Sequence, residues 1–153
     1  MPANPPEQTQ HASCVTLAGR GVLIRGGSGS GKSSLALQLM AYGAELVADD
    51  QVQIWQQGGA IWARPPAALR GLIEARNVGI LTATAAPETA ICVIVDMDQV
   101  ETQRLPPRRL ERLLDQEVQI FRRVEGIHFA AALIQFLKSG ALDPDAKLSD
   151  RHP

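Results

Sequence analysis

Short apolar runs separated by glycine-containing or polar turns predict two β-hairpins in the first half of the chain. Residues 13–17 (SCVTL) and 21–25 (GVLIR) are two such runs, and the three residues between them include a glycine. Residues 51–55 (QVQIW) and 60–64 (AIWAR) form a second pair, joined by Gln-Gln-Gly-Gly. Two strand-like runs joined by a few turn residues are typical of a hairpin.

Two further apolar runs end abruptly in acidic residues and predict buried strands. Residues 44–50 (AELVADD) form a short run closed by two aspartates. Residues 90–98 (AICVIVDMD) contain the clearest β-branched run of the chain, which ends in charge at Asp96. A continuous apolar run of this length is typical of a strand covered on both faces.

Apolar positions at helical spacing predict the helices. Residues 33–43 place Leu35, Leu39 and Met40 on one face, and Gly43 is the expected stop. Residues 126–140 predict a second helix that ends at a glycine. Two segments that open with prolines, residues 65–77 and 106–114, are also predicted to be helical. Residues 117–124 (EVQIFRRV) alternate as a strand does, although helical continuation from the preceding segment fits nearly as well.

Strands that alternate with helices predict a single α/β domain with a central sheet. The polar, proline-rich residues 1–10 predict a disordered arm, without the basic apolar leader of a signal peptide. Residues 11–142 are expected to form this domain, and residues 143–153 are expected to form a loose tail.

The stretch GGSGSGKSS follows the strand at residues 21–25 and opens the helix at residues 33–43, which is the context of a phosphate-binding loop. Glycines let successive backbone N–H groups point at phosphate oxygens, and the helix adds the positive end of its dipole. Lys32 would reach the β- and γ-phosphates, and the Ser33 hydroxyl would hold Mg²⁺. The residues expected to bind nucleotide are Gly26, Gly27, Ser28, Gly29, Ser30, Gly31, Lys32, Ser33 and Ser34.

A phosphate loop of this kind also requires an acid near the metal, usually at the end of a neighbouring strand. Two places in the sequence qualify, Asp49-Asp50 and Asp96. Asp96 ends the better strand, so a generic pattern favours it, and the pattern alone leaves the choice open.

Composition narrows the class of protein only moderately. The chain has 153 residues, 45% hydrophobic and 20% charged, with a formal net charge of -1. This balance is ordinary for a soluble domain and gives no sign of a general nucleic-acid binder. No apolar run reaches the length of a membrane span. Cys14 and Cys92 lie in apolar runs without metal-ligand spacing, which predicts buried reduced thiols in a cytosolic protein.

Four motifs in order make the chain resemble the catalytic domain of the HPr kinase/phosphorylase family. His11 stands ten residues before Gly21, as the family's histidine does before the strand that leads into the loop. The loop itself, the LVADD sequence at residues 46–50, and EARNVGI at residues 74–80 follow. An Arg-Leu pair comes after the next strand, at residues 104–105. The resemblance spans about two-thirds of the chain and implies a P-loop-containing kinase domain with added β-hairpins.

The resemblance implies roles for individual residues and favours Asp49-Asp50 over Asp96 as the functional acids. Asp50 would take the proton from the serine of a protein substrate, and Asp49 would position the phosphate or the metal. Glu74 would be a second metal ligand beside Ser33. The remaining residues that the family pattern assigns to the active site are His11, Lys32, Arg76 and Arg104.

The implied activity is that of an ATP- and Mg²⁺-dependent protein-serine kinase acting on an HPr-like phosphocarrier protein, in regulation of the phosphotransferase system. The family also implies a hexamer. We expect a cytoplasmic location, and neither a nucleic acid nor a membrane is expected as a partner. Two alternatives stay open: a degenerate nucleotide-binding regulator, and a kinase for a small metabolite. The latter would use Arg108, Arg109 and Arg112 as its lid.

The sequence departs from the family pattern at several points. Gly27 stands where the family usually has an acidic residue, and Asn77 replaces a glycine of the signature. Longer family members have a separate N-terminal domain that this sequence does not match. The arginine-containing loop linked to dephosphorylation is expected at residues 124–129, where this chain reads VEGIHF. We therefore expect weak or absent phosphorylase activity.

Overall fold

A computed structural model describes residues 6–144, in which a large mixed sheet, a small two-stranded sheet and two α-helices are present. The strands are β1 (Gln8–Gln10), β2 (Ala12–Leu17), β3 (Arg20–Arg25), β4 (Glu45–Ala48), β5 (Val52–Gln57), β6 (Ala60–Arg64), β7 (Leu72–Ala75), β8 (Gly79–Thr82), β9 (Thr89–Val100), β10 (Leu110–Leu113) and β11 (Gln116–Arg123). The helices are α1 (Lys32–Ala41) and α2 (Phe129–Ser139), with a short 3₁₀ helix at Ala67–Leu69.

The order of strands in the large sheet brings four carboxyl ends to one edge. The sheet runs β1-β5-β6-β9-β3-β2-β4, and β11 pairs with β9 and with β10. Strands β3 and β11 are both parallel to β9, whereas β2 is antiparallel to β3 and to β4. Strands β3, β4, β9 and β11 therefore all point the same way, and β2 begins at the edge where they end. In open α/β sheets this carboxyl edge is where ligands bind.

The core lies on both faces of the large sheet. On one face, residues of β3 and β9 pack against α1 and α2; its fully buried members include Val22, Ile24, Val93, Val95 and Leu39. The other face is closed by the outer strands around a second cluster that includes Leu23, Ile54, Ile61 and Ile94. Full burial of one such side chain contributes about 1.5–3 kcal/mol relative to leaving it in water. Both faces of β3 and β9 are thus covered, which fixes the strands that carry the candidate site.

Most elements predicted from the apolar pattern are confirmed. Both hairpins form as β2-β3 and β5-β6, and the buried runs form β4 and β9. Helix α1 has Leu35 and Leu39 buried, and α2 ends at Gly140, whose φ of 74° is a left-handed value typical of a glycine after a helix. Residues 117–124, which fitted strand or helix, contribute to strand β11.

Two predicted helices are wrong. Residues 72–75 form β7 rather than a helix, because they pair antiparallel with β8. Residues 110–113 form β10, paired with β11 through a tight turn at Leu114 and Asp115. Both turn residues have a positive φ, 46° and 63°, as the type I′ hairpin turn requires. Leu-Asp lacks the Asn-Gly signal of such a turn, so the hairpin is not evident from the sequence.

The predicted disordered arm is also wrong at its end. Residues 8–10 form β1, an edge strand that pairs antiparallel with β5. Their three polar side chains obscured the strand, because an edge strand that faces water needs no apolar pattern. Residues 1–5 of the arm, and residues 145–153 of the predicted tail, lie outside the described residues.

Candidate active site

The loop after β3 turns sharply to reach the start of α1. Gly26 has a φ of 153° and Gly31, just before α1, has a φ of 98°. A Cβ atom on Gly26 would lie 2.5 Å from Ser30 Oγ and 2.9 Å from Met97 Cβ, closer than atoms can pack. Only glycine fits there, since both the backbone angle and the space exclude a side chain. The sharp turn between β3 and α1 thus explains why the loop has glycine at these positions.

Lys32 lies across the opening of this loop. Its Nζ donates hydrogen bonds to the carbonyl oxygens of Gly26, at 2.8 Å, and Gly27, at 2.9 Å. Only 7% of the residue is exposed. The ammonium is therefore held by two neutral acceptors that an anionic ligand would outcompete, because hydrogen bonds between ions are stronger than those to neutral groups.

Asp49, the first residue after β4, is the best-connected acid of this edge. Its Oδ1 accepts hydrogen bonds from the hydroxyls of Ser33, at 2.7 Å, and Ser13, at 2.6 Å. Its Oδ2 accepts the backbone N–H of Glu74 at 3.1 Å. Asp49 is 6% exposed, so this nearly buried carboxylate is compensated by three donors. It directly joins the strand end, the phosphate loop and the β7-β8 hairpin.

Asp50 points in a different direction and stays open to water. Its backbone φ is 71°, a left-handed value that aspartate tolerates better than most residues. His11 Nδ1 lies 3.3 Å from Asp50 Oδ1 and 3.1 Å from its backbone carbonyl oxygen. The side chain of Asp50 is 62% exposed. The two adjacent aspartates therefore occupy two environments, one enclosed by donors and one free to meet a second molecule.

The small β7-β8 sheet carries two further predicted residues to the loop. Glu74 lies in β7, and Arg76 follows that strand. A Cβ placed on Gly29 would lie 3.9 Å from Arg76 Nη2, so the guanidinium stands beside the phosphate loop. Asn77, which replaces a glycine of the family signature, has a φ of 64° in the β7-β8 turn. Asparagine adopts this left-handed conformation more readily than other side chains, which explains why the substitution keeps the turn.

These residues surround one cleft of about 270 Å³ at the carboxyl edge. Most of the predicted site residues line it. The lining residues are His11, Ser13, Ser28, Gly29, Gly31, Lys32, Ser33, Ser34, Asp49, Asp50, Glu74 and Arg76.

Several predicted residues do not line this cleft: the loop residues Gly26, Gly27 and Ser30, and the candidates Arg104 and Asp96. Arg104 is an exposed residue of the segment between β9 and β10. Asp96 lies beside a second cleft of about 240 Å³, together with Arg109, Glu111 and Arg122. Its Oδ1 accepts the backbone N–H of Asp98 at 2.9 Å. The acid that contacts the loop serine is therefore Asp49, whereas Asp96 lies at a different cleft.

Two residues of the loop's surroundings were missed by reasoning from the sequence. Ser13 is fully buried in β2 and donates to Asp49, and Asp98 accepts the backbone N–H of Gly27. A lone serine in an apolar strand carries no motif. Ser13 could have been found only from the strand order, since β2 lies between β3 and β4 and begins where both of them end.

Comparison with known proteins identifies relatives of the chain. A family model described as the HPr Serine kinase C-terminal domain matches residues 5–130. The HPr kinase/phosphorylase of Brevibacillus brevis is 40% identical over 117 residues, which cover 73% of this chain and 38% of that protein. The HPr kinase/phosphorylase of Streptococcus thermophilus is 46% identical over 72 residues, covering 46% of this chain and 23% of that protein.

A solved structure has the same fold. The Hpr(Ser) kinase/phosphatase from Coxiella burnetii matches with a TM-score of 0.70 and 25% sequence identity, covering 86% of this chain and 94% of that chain. This chain spans less than two-fifths of the length of the two relatives compared by sequence. Among residues 6–144, no helix is long and apolar enough to cross a membrane.

Proposed function

The chain belongs to the HPr Serine kinase C-terminal domain family, and from that premise we propose that it transfers the γ-phosphoryl group of ATP to a serine of an HPr-like phosphocarrier protein. The observation that carries the proposal is the meeting of the phosphate loop with Asp49 and Asp50 in one cleft. Phosphoryl transfer depends mainly on positioning and on neutralising charge, and this cleft offers groups for both.

ATP is the proposed donor because the loop offers what a polyphosphate needs. The amino end of α1 and the glycine-rich backbone supply N–H groups, and Lys32 supplies a positive charge. Lys32 would exchange its two carbonyl acceptors for phosphate oxygens. Arg76, beside Gly29, would add a second positive charge to the cleft. These residues hold and neutralise the transferred group.

Mg²⁺ is the proposed metal, and the donor set fits it. Mg²⁺ is typically bound by one or two carboxylates together with substrate phosphates rather than by an all-protein cage. Within residues 6–144 no three His, Cys, Asp or Glu side chains form a metal cluster. The 2.7 Å contact between Ser33 Oγ and Asp49 Oδ1 instead sets two oxygens side by side at the loop. Ser33 and Asp49 would hold the ion, Glu74 would approach from β7, and the metal would neutralise phosphate charge.

Asp50 is the proposed base for the incoming serine hydroxyl. It is exposed while Asp49 is enclosed, so a protein substrate can reach it without opening the fold. His11 lies against its carboxylate and backbone carbonyl and would fix its orientation. The hydroxyl proton would pass to Asp50 as the serine oxygen bonds to the γ-phosphorus and the bond from that phosphorus to the bridging oxygen breaks, which releases ADP. Arg104 has no such contact with the cleft, and its proposed role rests on the family pattern alone.

The small-metabolite alternative is less well supported by the surroundings of its expected lid. Arg109 pairs with Glu101 at 3.2 Å, and Arg112, in β10, pairs with Asp115 at 3.6 Å. These arginines belong to the β10-β11 region rather than to the cleft that contains Lys32. An arginine-rich lid over the phosphate loop is therefore not favoured.

The test is incubation of the chain with labelled ATP, Mg²⁺ and an HPr-like protein, followed by identification of the labelled amino acid. We expect Mg²⁺-dependent phosphoserine on the HPr-like protein. ATP binding without transfer would instead identify a regulator, and transfer only to small molecules would identify a metabolite kinase. A cytoplasmic location and a hexameric assembly are further proposals from the family resemblance; light scattering of the purified chain tests the second.

A further inference from the structure

Gly27, the second residue of the phosphate loop, is held from outside the loop by Asp98. Its backbone N–H lies 2.9 Å from Asp98 Oδ1 and 3.1 Å from Oδ2, so one amide is shared by both carboxylate oxygens. Asp98 lies near the end of β9, the strand beside β3. Its own N–H donates to Asp96 Oδ1 at 2.9 Å, which fixes the backbone from which the carboxylate extends. The loop is thus tied to the neighbouring strand.

The other side of the Gly27 residue holds Lys32. The Gly27 carbonyl oxygen accepts Lys32 Nζ at 2.9 Å and the N–H of Ser30 at 3.1 Å. Gly27 therefore connects a carboxylate on one side with the loop lysine on the other. Any movement of this residue would displace both the lysine and the first turn of the loop.

The surroundings of Gly27 leave room for a side chain beside the carboxylate of Asp98. Gly27 does not have a left-handed φ, and a Cβ added to it would lie 3.7 Å from Asp98 Oδ1 in ordinary contact. A side chain is thus tolerated at position 27, but an acidic one would extend towards an existing carboxylate. The acidic group beside this part of the loop comes from β9 rather than from the loop itself.

We propose that Asp98 is a positioning residue of the phosphate loop, which acts through the N–H of Gly27 and leaves Lys32 and the loop amides arranged for polyphosphate. The inference rests on the proposed function, because it assumes that the loop binds ATP. A loop arranged before binding does not have to be ordered by the ligand, so affinity rises without a new contact to it. Asp98 itself does not line the nucleotide cleft.

The hydrogen bond from Gly27 to Asp98 should favour ATP binding, whereas the negative charge of Asp98 should weaken it. The experiment must separate these two effects. A carboxylate near bound phosphates repels them, so its removal alone would tighten ATP binding. Asp98→Asn keeps a carbonyl oxygen that accepts the Gly27 N–H but loses the charge. Asp98→Ala loses both. Glu88→Ala is the matched control, since Glu88 is an exposed acid that directly precedes β9 at its opposite end.

The first measurement follows the Gly27 amide proton by NMR in the nucleotide-free chain. We expect an upfield shift and faster exchange in Asp98→Ala, with retention of the wild-type behaviour in Asp98→Asn and Glu88→Ala. The resonances of β3 and α1 should be unchanged in all three variants. An unchanged Gly27 amide in Asp98→Ala would overturn the tether. This result does not depend on whether the chain binds ATP.

The second measurement is the affinity of the same variants for Mg-ATP by calorimetry. We expect Asp98→Ala to bind about three- to tenfold more weakly, the effect of losing one partly exposed hydrogen bond to a charged group. Asp98→Asn should bind at least as tightly as the wild type. Equal or tighter binding by Asp98→Ala would overturn the positioning role. A wild-type chain that binds no ATP would overturn the proposed function, while the NMR result would still decide the tether.

Position 27 offers an independent test of the same relationship. Gly27→Asp should weaken Mg-ATP binding in the wild-type background, because two carboxylates would then meet. In the Asp98→Ala background the same substitution should weaken binding less, since the second carboxylate that it would meet is absent. Gly27→Ala controls for the added Cβ. Additive effects of the two substitutions would contradict the proposal.

Discussion

The hydroxyl of Ser33, in the first turn of α1, donates a 2.7 Å hydrogen bond to Oδ1 of Asp49, the residue that follows β4. These two residues are 16 positions apart in the sequence. Strand β2 pairs with both β3 and β4, and this pairing places the end of β4 near the loop that follows β3. The contact joins a phosphate-loop hydroxyl to a nearly buried carboxylate. It is the feature from which the proposed nucleotide and metal sites follow.

Lys32→Ala should weaken ATP binding by about 10- to 100-fold, the range expected when hydrogen bonds between ions are lost. The fold should persist, because the removed ammonium donates to loop carbonyls and Lys32 belongs to neither hydrophobic cluster. Calorimetric titration with Mg-ATP measures the affinity, and circular dichroism measures the fold. Lys138→Ala, an exposed lysine in the last turn of α2, is the control and should bind like the wild type. Unchanged affinity in Lys32→Ala would contradict a phosphate-binding loop.

Ser13→Ala should lower the rate of transfer about tenfold and raise the Mg²⁺ concentration needed for half-maximal activity, as loss of a hydrogen bond to a charged group implies. The substitution removes one of the two hydroxyls that donate to Asp49 Oδ1, which lets this carboxylate shift away from Ser33. The Mg²⁺ dependence of the initial rate is the informative readout, because a general loss of stability would not change it.

The control for Ser13 is Thr16→Val in the same strand. Thr16 is also buried, and its hydroxyl pairs with that of Thr89 at 2.7 Å, far from the carboxyl edge. We expect this variant to lose stability while keeping the wild-type Mg²⁺ dependence. If both variants changed that dependence equally, the role of Ser13 would be one of packing only.

The reverse reaction should be much slower than the forward one. Phosphorolysis requires inorganic phosphate in the loop and a phosphoserine steadied on the opposite side. Residues 124–129 lack the arginines of the family loop, and Ile127 there is fully exposed. The assay supplies phosphorylated HPr-like protein, Mg²⁺ and millimolar phosphate, and follows pyrophosphate. Release as fast as the forward transfer would show that this segment replaces the family loop completely.

Both cysteine thiols should react slowly in the native chain. Burial raises the pKa of the Cys14 thiol far above its ordinary value, and the nearby Cys92 raises it further. Burial also raises the pKa of Cys92, although Arg20 opposes this effect. Because the thiolate is the reactive form, a thiol with a raised pKa is largely protonated at pH 8. A disulfide-exchange reagent at that pH should find no fast thiol in the native chain and two thiols in denaturant; fast native labelling would contradict this burial.

The sequence pattern predicts strands that are buried on both faces. It does not predict short, partly exposed strands that form only by pairing with a neighbouring strand. Strand β9 was found because both of its faces are covered, so its run is continuously apolar. Strands β7 and β10 were mistaken for helices because each is four residues long and partly exposed, and each exists only through its hairpin partner. A segment of four residues is too short to distinguish the two-residue hydrophobic period of a strand from the 3.6-residue period of a helix.

Some residues of the candidate site can be predicted from the sequence, and others cannot. The phosphate loop could be read directly, because its glycines and its lysine are consecutive. The choice between Asp49 and Asp96 could not be made from spacing, since both follow buried apolar runs. Strand order separates them: β4 delivers Asp49 to Ser33, whereas Asp96 engages the backbone of Asp98. Ser13 and Asp98 depend on register between strands, which no local pattern encodes.

The most direct test of the central claim is the single-turnover rate of labelled phosphate transfer from ATP to an HPr-like protein, compared between Asp50→Asn and Asp96→Asn. An amide cannot accept the serine proton, so Asp50→Asn should slow transfer by about 10²–10⁴-fold, the usual effect of losing a general base. Its affinity for Mg-ATP should be close to that of the wild type, because Asp50 contacts His11 rather than the loop. Asp96→Asn should transfer phosphate within a few-fold of the wild-type rate. A mild effect in Asp50→Asn together with a severe one in Asp96→Asn would contradict the assignment of the catalytic acid to the end of β4.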